Sequence, residues 1–124
     1  MIYDPDKITF QETHKLMIGS IVPRPIAFVG TTSLKKVDNI APFSYFNGVC
    51  SNPPTVMFAP ARRGWDGKEK DTLVNIRDTK EFTVNIVSES FAQQMVDVCE
   101  SHTYIKIKCF VLLFYGIKTL FCAP

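Results

Sequence analysis

Apolar and polar positions alternate with different periods along this chain, and each change of period marks an element. Thr9 to Met17 is mixed in character and suits a short helix or an entry arm. At Ile21-Val22-Pro23-Arg24-Pro25 two prolines forbid a helix and favour extended chain. Ile26 to Ser33 is β-branched and aromatic and ends in small hydroxyl residues, so a strand is expected. Leu34 to Asp38 is a polar connection that suits a hairpin. Asn39 to Phe46 is expected as the return strand, closed by an Asn47-Gly48 turn.

Ser51-Asn52-Pro53-Pro54 is expected as a loop and Thr55 to Ala59 as a short apolar strand. Arg62 to Lys70 is a charged loop that holds the sole tryptophan, Trp65. Asp71 or Thr72 is expected to cap a helix whose apolar Leu73 and Ile76 share a face. Phe82, Val84 and Ile86 alternate with Thr83 and Asn85, which is the period of a strand. Ser90-Phe91-Ala92-Gln93 has the capping-box pattern, with Phe91, Met95 and Val98 following on one helical face. Hairpins interleaved with short helices predict a mainly β fold, a small β-barrel with attached helices. They do not suggest a wound βαβ sheet.

The character changes at Ser101. From there to Pro124 the chain has no acidic residue and is crowded with Phe, Leu, Ile and Cys. Ile105, Ile107 and Cys109 alternate with Lys106 and Lys108, so a last buried strand is one reading. A segment from an altered reading frame or retained intron, apolar by accident, is the other.

Composition narrows the function classes. A chain of 124 residues fits one domain, and 46% hydrophobic with 21% charged residues is a globular balance. Ten Phe and four Tyr can supply a core. A net charge of +2 points away from nucleic acid and anionic membranes as partners. Met1 to Lys7 has no basic start followed by an apolar run, so no signal peptide is expected. The longest apolar stretch, Cys109 to Tyr115, is far short of the roughly 20 residues of a membrane span. Cys50, Cys99, Cys109 and Cys122 form no C-x-x-C pair. They are expected as reduced, mostly buried thiols in a cytoplasmic protein.

His14 and His102 are far apart, and neither a G-x-S-x-G nor an H-E-x-x-H motif occurs. Metal ligation lacks a ligand cluster. Phosphate binding has better candidates. Thr31, Thr32 and Ser33 end a strand, Arg24 precedes it, and Lys70-Asp71-Thr72 opens a helix whose free N–H groups favour an anion. Read blandly, the threonines are β-formers and Lys-Asp-Thr is a cap. Between them, Asn39 to Gly48 sets Ser44 and Asn47 beside aromatic rings. That suits the edge of a flat heterocycle such as isoalloxazine, or equally a buried aromatic strand.

Pro23 to Ser33, Asn39 to Val49, Asn52-Pro53-Pro54 and Lys70-Asp71-Thr72 together resemble the flavin reductase-like, FMN-binding split-barrel family, of which flavoredoxin-type proteins are members. The likeness covers roughly residues 10 to 98 and keeps order and approximate spacing. It implies a split β-barrel homodimer with FMN at or near the subunit interface. It further implies that Thr31, Thr32, Lys70 and Thr72 of the matched motifs hold the phosphate, with Asp71 in the same motif and Arg24 nearby. Ser44, Tyr45, Phe46 and Asn47 would border the ring and ribityl chain. NADH or NADPH is the implied electron donor, and the flavin supplies the hydride chemistry, so no catalytic side chain is expected. Residues 1–100 then form the N-terminal part of such a domain and 101–124 an atypical apolar tail. Two departures stand out: the Ser33 to Asp38 turn lacks the family's glycine, and the tail does not resemble the further barrel strands that members carry. A non-catalytic flavin- or haem-type binding module, and a truncated inactive product, are the competing readings.

Overall fold

Thr9 opens the first helix, α1 (Phe10–Ser20), in the computed structural model, which describes residues 3–101. Its hydroxyl accepts from the Glu12 N–H at 3.2 Å, and the Glu12 carboxylate accepts from the Thr9 N–H at 2.8 Å. This reciprocal cap satisfies two N–H groups that a helix start otherwise leaves open. α1 buries none of its residues. After it, Val22–Pro23 is a cis peptide, and extended chain leads into the sheet.

Strands β1 (Ala27–Thr32), β2 (Asp38–Phe43) and β5 (Thr83–Ile86) make one antiparallel sheet in the order β2-β1-β5. As the central strand, β1 is covered on both faces: Ala27, Phe28 and Val29 are each 0% exposed. Side chains alternate across a strand, so its two faces have separate partners. On one face Ala27 and Val29 pack with Phe43 and Val84, and Ala41, Phe46, Phe58 and Phe82 close around them. Phe58 meets Phe43 at 5.3 Å and Phe82 at 5.4 Å between ring centroids. On the other face Phe28 meets the edge of Phe91 at 5.6 Å. Gly30, opposite Thr83, lies on that second face, where a Cβ would stand 2.7 Å from the Thr83 hydroxyl.

The alternation expected for Phe82, Val84 and Ile86 holds at Val84, which is buried, but Ile86 is exposed and Asn85 is buried instead. The cause is a specific bond. The Asn85 amide donates to the Phe28 carbonyl at 3.0 Å, so a polar side chain is accepted within a covered face.

Strands β3 (Phe46–Ser51) and β4 (Pro54–Phe58) form a separate hairpin. Here the expected Asn47-Gly48 turn is corrected: Asn47 pairs with Met57 and Gly48 with Val56 inside the ladder. The chain bends instead at Ser44-Tyr45 and reverses at Asn52-Pro53, a cis peptide. The ladder has a register shift between Gly48 and Cys50. Cys50 is exposed, against the expectation of a buried thiol, because its strand turns to solvent.

Two helix starts also differ from expectation. The N-cap of α2 (Asp71–Thr79) is Lys70, with no side-chain cap, so Asp71 and Thr72 lie inside the first turn. Thr72 does not cap because its hydroxyl is engaged elsewhere. Ser90 forms no capping box: its hydroxyl pairs with Ser88 at 3.1 Å, Glu89–Phe91 is a single 3-10 turn, and α3 (Ala92–Ser101) follows. Among the described residues no helix is long and apolar enough to cross a membrane. The expected strand at 105–109, His102, Cys109, Cys122 and the side chain of Cys99 lie outside the described residues.

Candidate functional site

Registry places hydroxyls and amides together at one end of the inner face. Thr31 stands opposite Asn39 across the β1–β2 ladder. Thr31 follows Ala27 and Val29 on the core face, where apolar packing ends and polar groups take over. α2 covers that end and brings in Thr72 and Asn75, three residues apart and so on one helical face. Thr72 is 1% exposed, Thr31 and Asn75 each 6%.

Four side chains close into a network. The Asn39 Nδ2 donates to Thr72 Oγ1 at 2.9 Å and to Thr31 Oγ1 at 3.3 Å. The Asn75 Nδ2 donates to Thr31 Oγ1 at 3.1 Å. Every donor in these bonds is an amide, and every acceptor is a threonine hydroxyl. A hydroxyl has two acceptor sites and one proton. Thr31 therefore has both acceptor sites filled, Thr72 has one filled, and each retains a proton to donate.

Lys70 precedes the helix. Its Nζ lies 5.1 Å from the centroid of the Phe43 ring, a cation–π contact, and it makes no ion pair among the described residues. Nearby, Arg77 donates to both oxygens of Glu69 at 2.8 Å, which ties the segment before the helix to its last turn. The first turn of α2 has no side-chain cap, so the partial positive charge of the helix start is not offset by a capping oxygen. Asp71, exposed in that turn, is its acidic residue, so only its backbone N–H, not its carboxylate, suits an anion.

Thr32 points to the opposite face. Its hydroxyl donates to Asp38 Oδ1 at 2.8 Å, away from Thr72. The two adjacent threonines are thus divided by the strand: Thr31 joins the network and Thr32 closes the hairpin.

The aromatic stretch lies at the far end of β2. Asn39 and Phe43 are separated by about 13 Å at roughly 3.3 Å per residue. Ser44 and Tyr45 form the bend, half-buried Phe46 packs on the core, and Asn47 is exposed on β3. Arg24 belongs to this end. Its Nη1 donates to the Ile18 carbonyl at 3.0 Å and its guanidinium lies 5.7 Å from the Tyr45 ring centroid, while its buried Nε has no hydrogen-bond partner among the described residues. The Tyr45 hydroxyl bonds His14 Nδ1 at 3.2 Å, docking α1 against the bend.

The sequence motifs therefore form two groups, one at the Asn39 end of β2 and one at its Phe43 end, where the Lys70 ammonium lies over the Phe43 ring, while the Thr32 side chain lies on the opposite face. Asn39 and Asn75 were not singled out by sequence. The signal for Asn39 was its position opposite Thr31 in the hairpin, and for Asn75 its spacing from Thr72.

The site residues fit a phosphate-bearing flavin. Two hydroxyls with protons to donate, an uncapped helix start and an ammonium that forms no ion pair among the described residues make a donor set for an anion. The bend with its rings and a ladder edge makes a surface for a flat heterocycle.

Comparison with known proteins bears on the fold and family. A family model described as "Flavin reductase like domain" matches residues 17–110. An uncharacterised protein of Aquifex aeolicus is 48% identical over 83 residues, covering 67% of this chain and 42% of its own length. The crystal structure of nitrilotriacetate monooxygenase component B from Bacillus cereus is 37% identical with a TM-score of 0.73, covering 82% of this chain and 49% of that one. A split-barrel-domain structure from Shewanella frigidimarina, 22% identical with a TM-score of 0.56, covers 86% of this chain and 51% of its own and shares the fold. The chain thus spans about half the length of the relatives it matches. The five strands and three α-helices among the described residues correspond to part of a split β-barrel of the flavin reductase kind.

Proposed function

This chain belongs to the flavin reductase-like domain family, and on that premise we propose that it binds FMN as an NAD(P)H-dependent flavin reductase-type oxidoreductase. The observation that carries the reading is the Asn39 bridge, which joins the hydroxyl end of β1 to the opening turn of α2. That junction would receive the phosphate through the Thr31 and Thr72 hydroxyls, the Asp71 and Thr72 N–H groups and the Lys70 ammonium. Thr32 would contribute through its backbone, since its side chain serves Asp38.

Ser44, Tyr45, Phe46 and Asn47 would border the ring and ribityl chain, with Arg24 steadying Tyr45 from behind. FMN, when bound, supplies the hydride chemistry, taking its electrons from NADH or NADPH. The protein's own part is to hold the anion, to present rings and amides to the heterocycle and to keep water from one side of it. On this reading the protein acts in the cytoplasm as a homodimer, with no nucleic acid or membrane as partner.

Titration of the purified chain with FMN and with riboflavin, followed by quenching of flavin fluorescence, tests the phosphate site. Lys70→Ala is expected to weaken FMN by about tenfold, the value of one hydrogen bond to a charged group, and riboflavin by much less. Equal weakening of both would refute the phosphate assignment. Consumption of NADH or NADPH by the FMN-loaded chain separates a reductase from a binding module.

A further inference from the structure

We propose that Asn39 and Asn75 are positioning residues for the flavin phosphate, acting through the threonine hydroxyls rather than by touching the ligand. The inference rests on the FMN reading above and deepens it. A threonine hydroxyl can donate or accept, and which it does is set by the groups around it. An anion needs it to donate.

The network removes the choice. Asn39 spends both hydrogens of its amide on Thr31 and Thr72, and Asn75 spends one on Thr31. Both acceptor sites of Thr31 are thereby occupied, and its remaining hydrogen-bonding capacity is its proton. Thr72 keeps its proton as well, and neither hydroxyl has an acceptor among the described residues. Both sit on rigid elements, one strand and one helical turn, and both are nearly fully buried, Thr31 at 6% and Thr72 at 1%. The orientation of the two donors is thus set before any ligand arrives, and setting it in advance spares the ligand that ordering cost.

Run in the reverse sense, with the threonines donating to amide oxygens, the network would lose one of its three bonds, because Thr31 has a single proton, and would turn both protons inward. The sense observed leaves the protons for something outside the network, at the helix start that favours negative charge.

The replacement that reverses the sense while keeping the shape is Asn75→Asp. A carboxylate accepts only, so the Thr31 proton turns to it and away from the ligand. Affinities for FMN and riboflavin are measured by fluorescence quenching for wild type, Asn75→Asp, Thr31→Val and the double variant. Asn75→Asp is expected to weaken FMN by about tenfold and to leave riboflavin within about threefold. Thr31→Val is expected to weaken FMN similarly. In the Thr31→Val background, Asn75→Asp should add little, because the group it acts through is gone. A full additional tenfold loss in the double variant would mean that the carboxylate merely repels the phosphate, and would overturn the proposal. So would an unchanged ratio of FMN to riboflavin affinity in Asn75→Asp.

Asn39→Asp, at a half-buried position that tolerates charge better, is the second probe should the buried carboxylate at 75 prevent folding. It turns both threonines inward and is expected to lower the FMN to riboflavin ratio at least as far. An unchanged ratio there overturns the proposal too. A wild-type chain that binds riboflavin as tightly as FMN would remove the phosphate site itself, and this inference with it. A wild type that prefers FMN, with variants that keep the preference, removes only the role of the asparagines.

Discussion

β1 and β3 are both six-residue strands, yet they live in different surroundings. β1 has two strand neighbours, α2 over one face and Phe91 of the 3-10 turn against the other, and four of its residues buried, with Ala27, Phe28 and Val29 wholly covered. β3 has a single neighbour, and only Phe46 at its start is half-buried. From Asn47 to Ser51 every residue is exposed, including Val49 at 61%. The difference teaches that the hairpin is held by its base. Phe46 and Phe58, paired across the ladder, insert into the core, while beyond them β3 is wholly exposed and only Thr55 and Val56 of β4 are half-buried. Burial concentrates the stabilising free energy at β1 and leaves the hairpin free to carry residues for a ligand instead.

The comparison breaks most sharply under truncation of the core. Phe28→Ala removes a fully buried ring from β1 and its edge contact with Phe91, and should lower stability by about 3–5 kcal/mol. Val49→Thr on the exposed hairpin should change it by no more than about 0.5 kcal/mol. Denaturant unfolding of both variants checks this. Comparable losses would mean that the hairpin is buried in the working protein and that the contrast is lost.

A smaller effect sharpens the contrast by placing α1 on the exposed side. The Glu12 carboxyl is held below its ordinary value of 4.5, chiefly by the Thr9 backbone N–H and then by the Thr9 hydroxyl. A carboxyl depressed on folding stabilises the fold above its unfolded value. That contribution is lost as pH falls through the lowered folded value. Glu12→Gln should therefore flatten the decline in unfolding midpoint on acidification while moving the midpoint at neutral pH only slightly, because the cap is fully exposed. A larger decline in the variant than in wild type would contradict the sign.

What could be read from the sequence follows the same division. β1, β2, β5 and the body of α2 were legible because burial selects β-branched and aromatic runs in the strands and an apolar residue on the inner helical face, as Phe28, Val29, Val84 and Ile76 show, although the alternation of β5 broke at Asn85 and Ile86. β3 was not, because an exposed strand needs no apolar alternation, and Asn47-Gly48 reads as a turn wherever the ladder does not overrule it. Caps misled for a related reason. Thr9 and Glu12 formed the reciprocal cap, while Ser90 bonded its neighbour Ser88 and Thr72 was drawn inward by Asn39. The hydroxyl strand end and the Lys-Asp-Thr helix start were visible as motifs. Their junction was not, since Asn39 meets Thr72 across 33 positions of chain and only the fold's registry unites them. The adjacent pair Thr31 and Thr32 looks equivalent in sequence, and pleating alone separates their roles.

The central claim is that a mononucleotide phosphate is received where the end of β1 meets the opening turn of α2. A residue-resolved amide NMR titration of the chain with FMN, and in parallel with riboflavin, tests it most directly. FMN is expected to move the amide signals of Asp71, Thr72, Thr31 and Thr32, with the helix-start pair moving far less under riboflavin. FMN shifts that leave Asp71 and Thr72 in place, or that riboflavin reproduces in full, would contradict it.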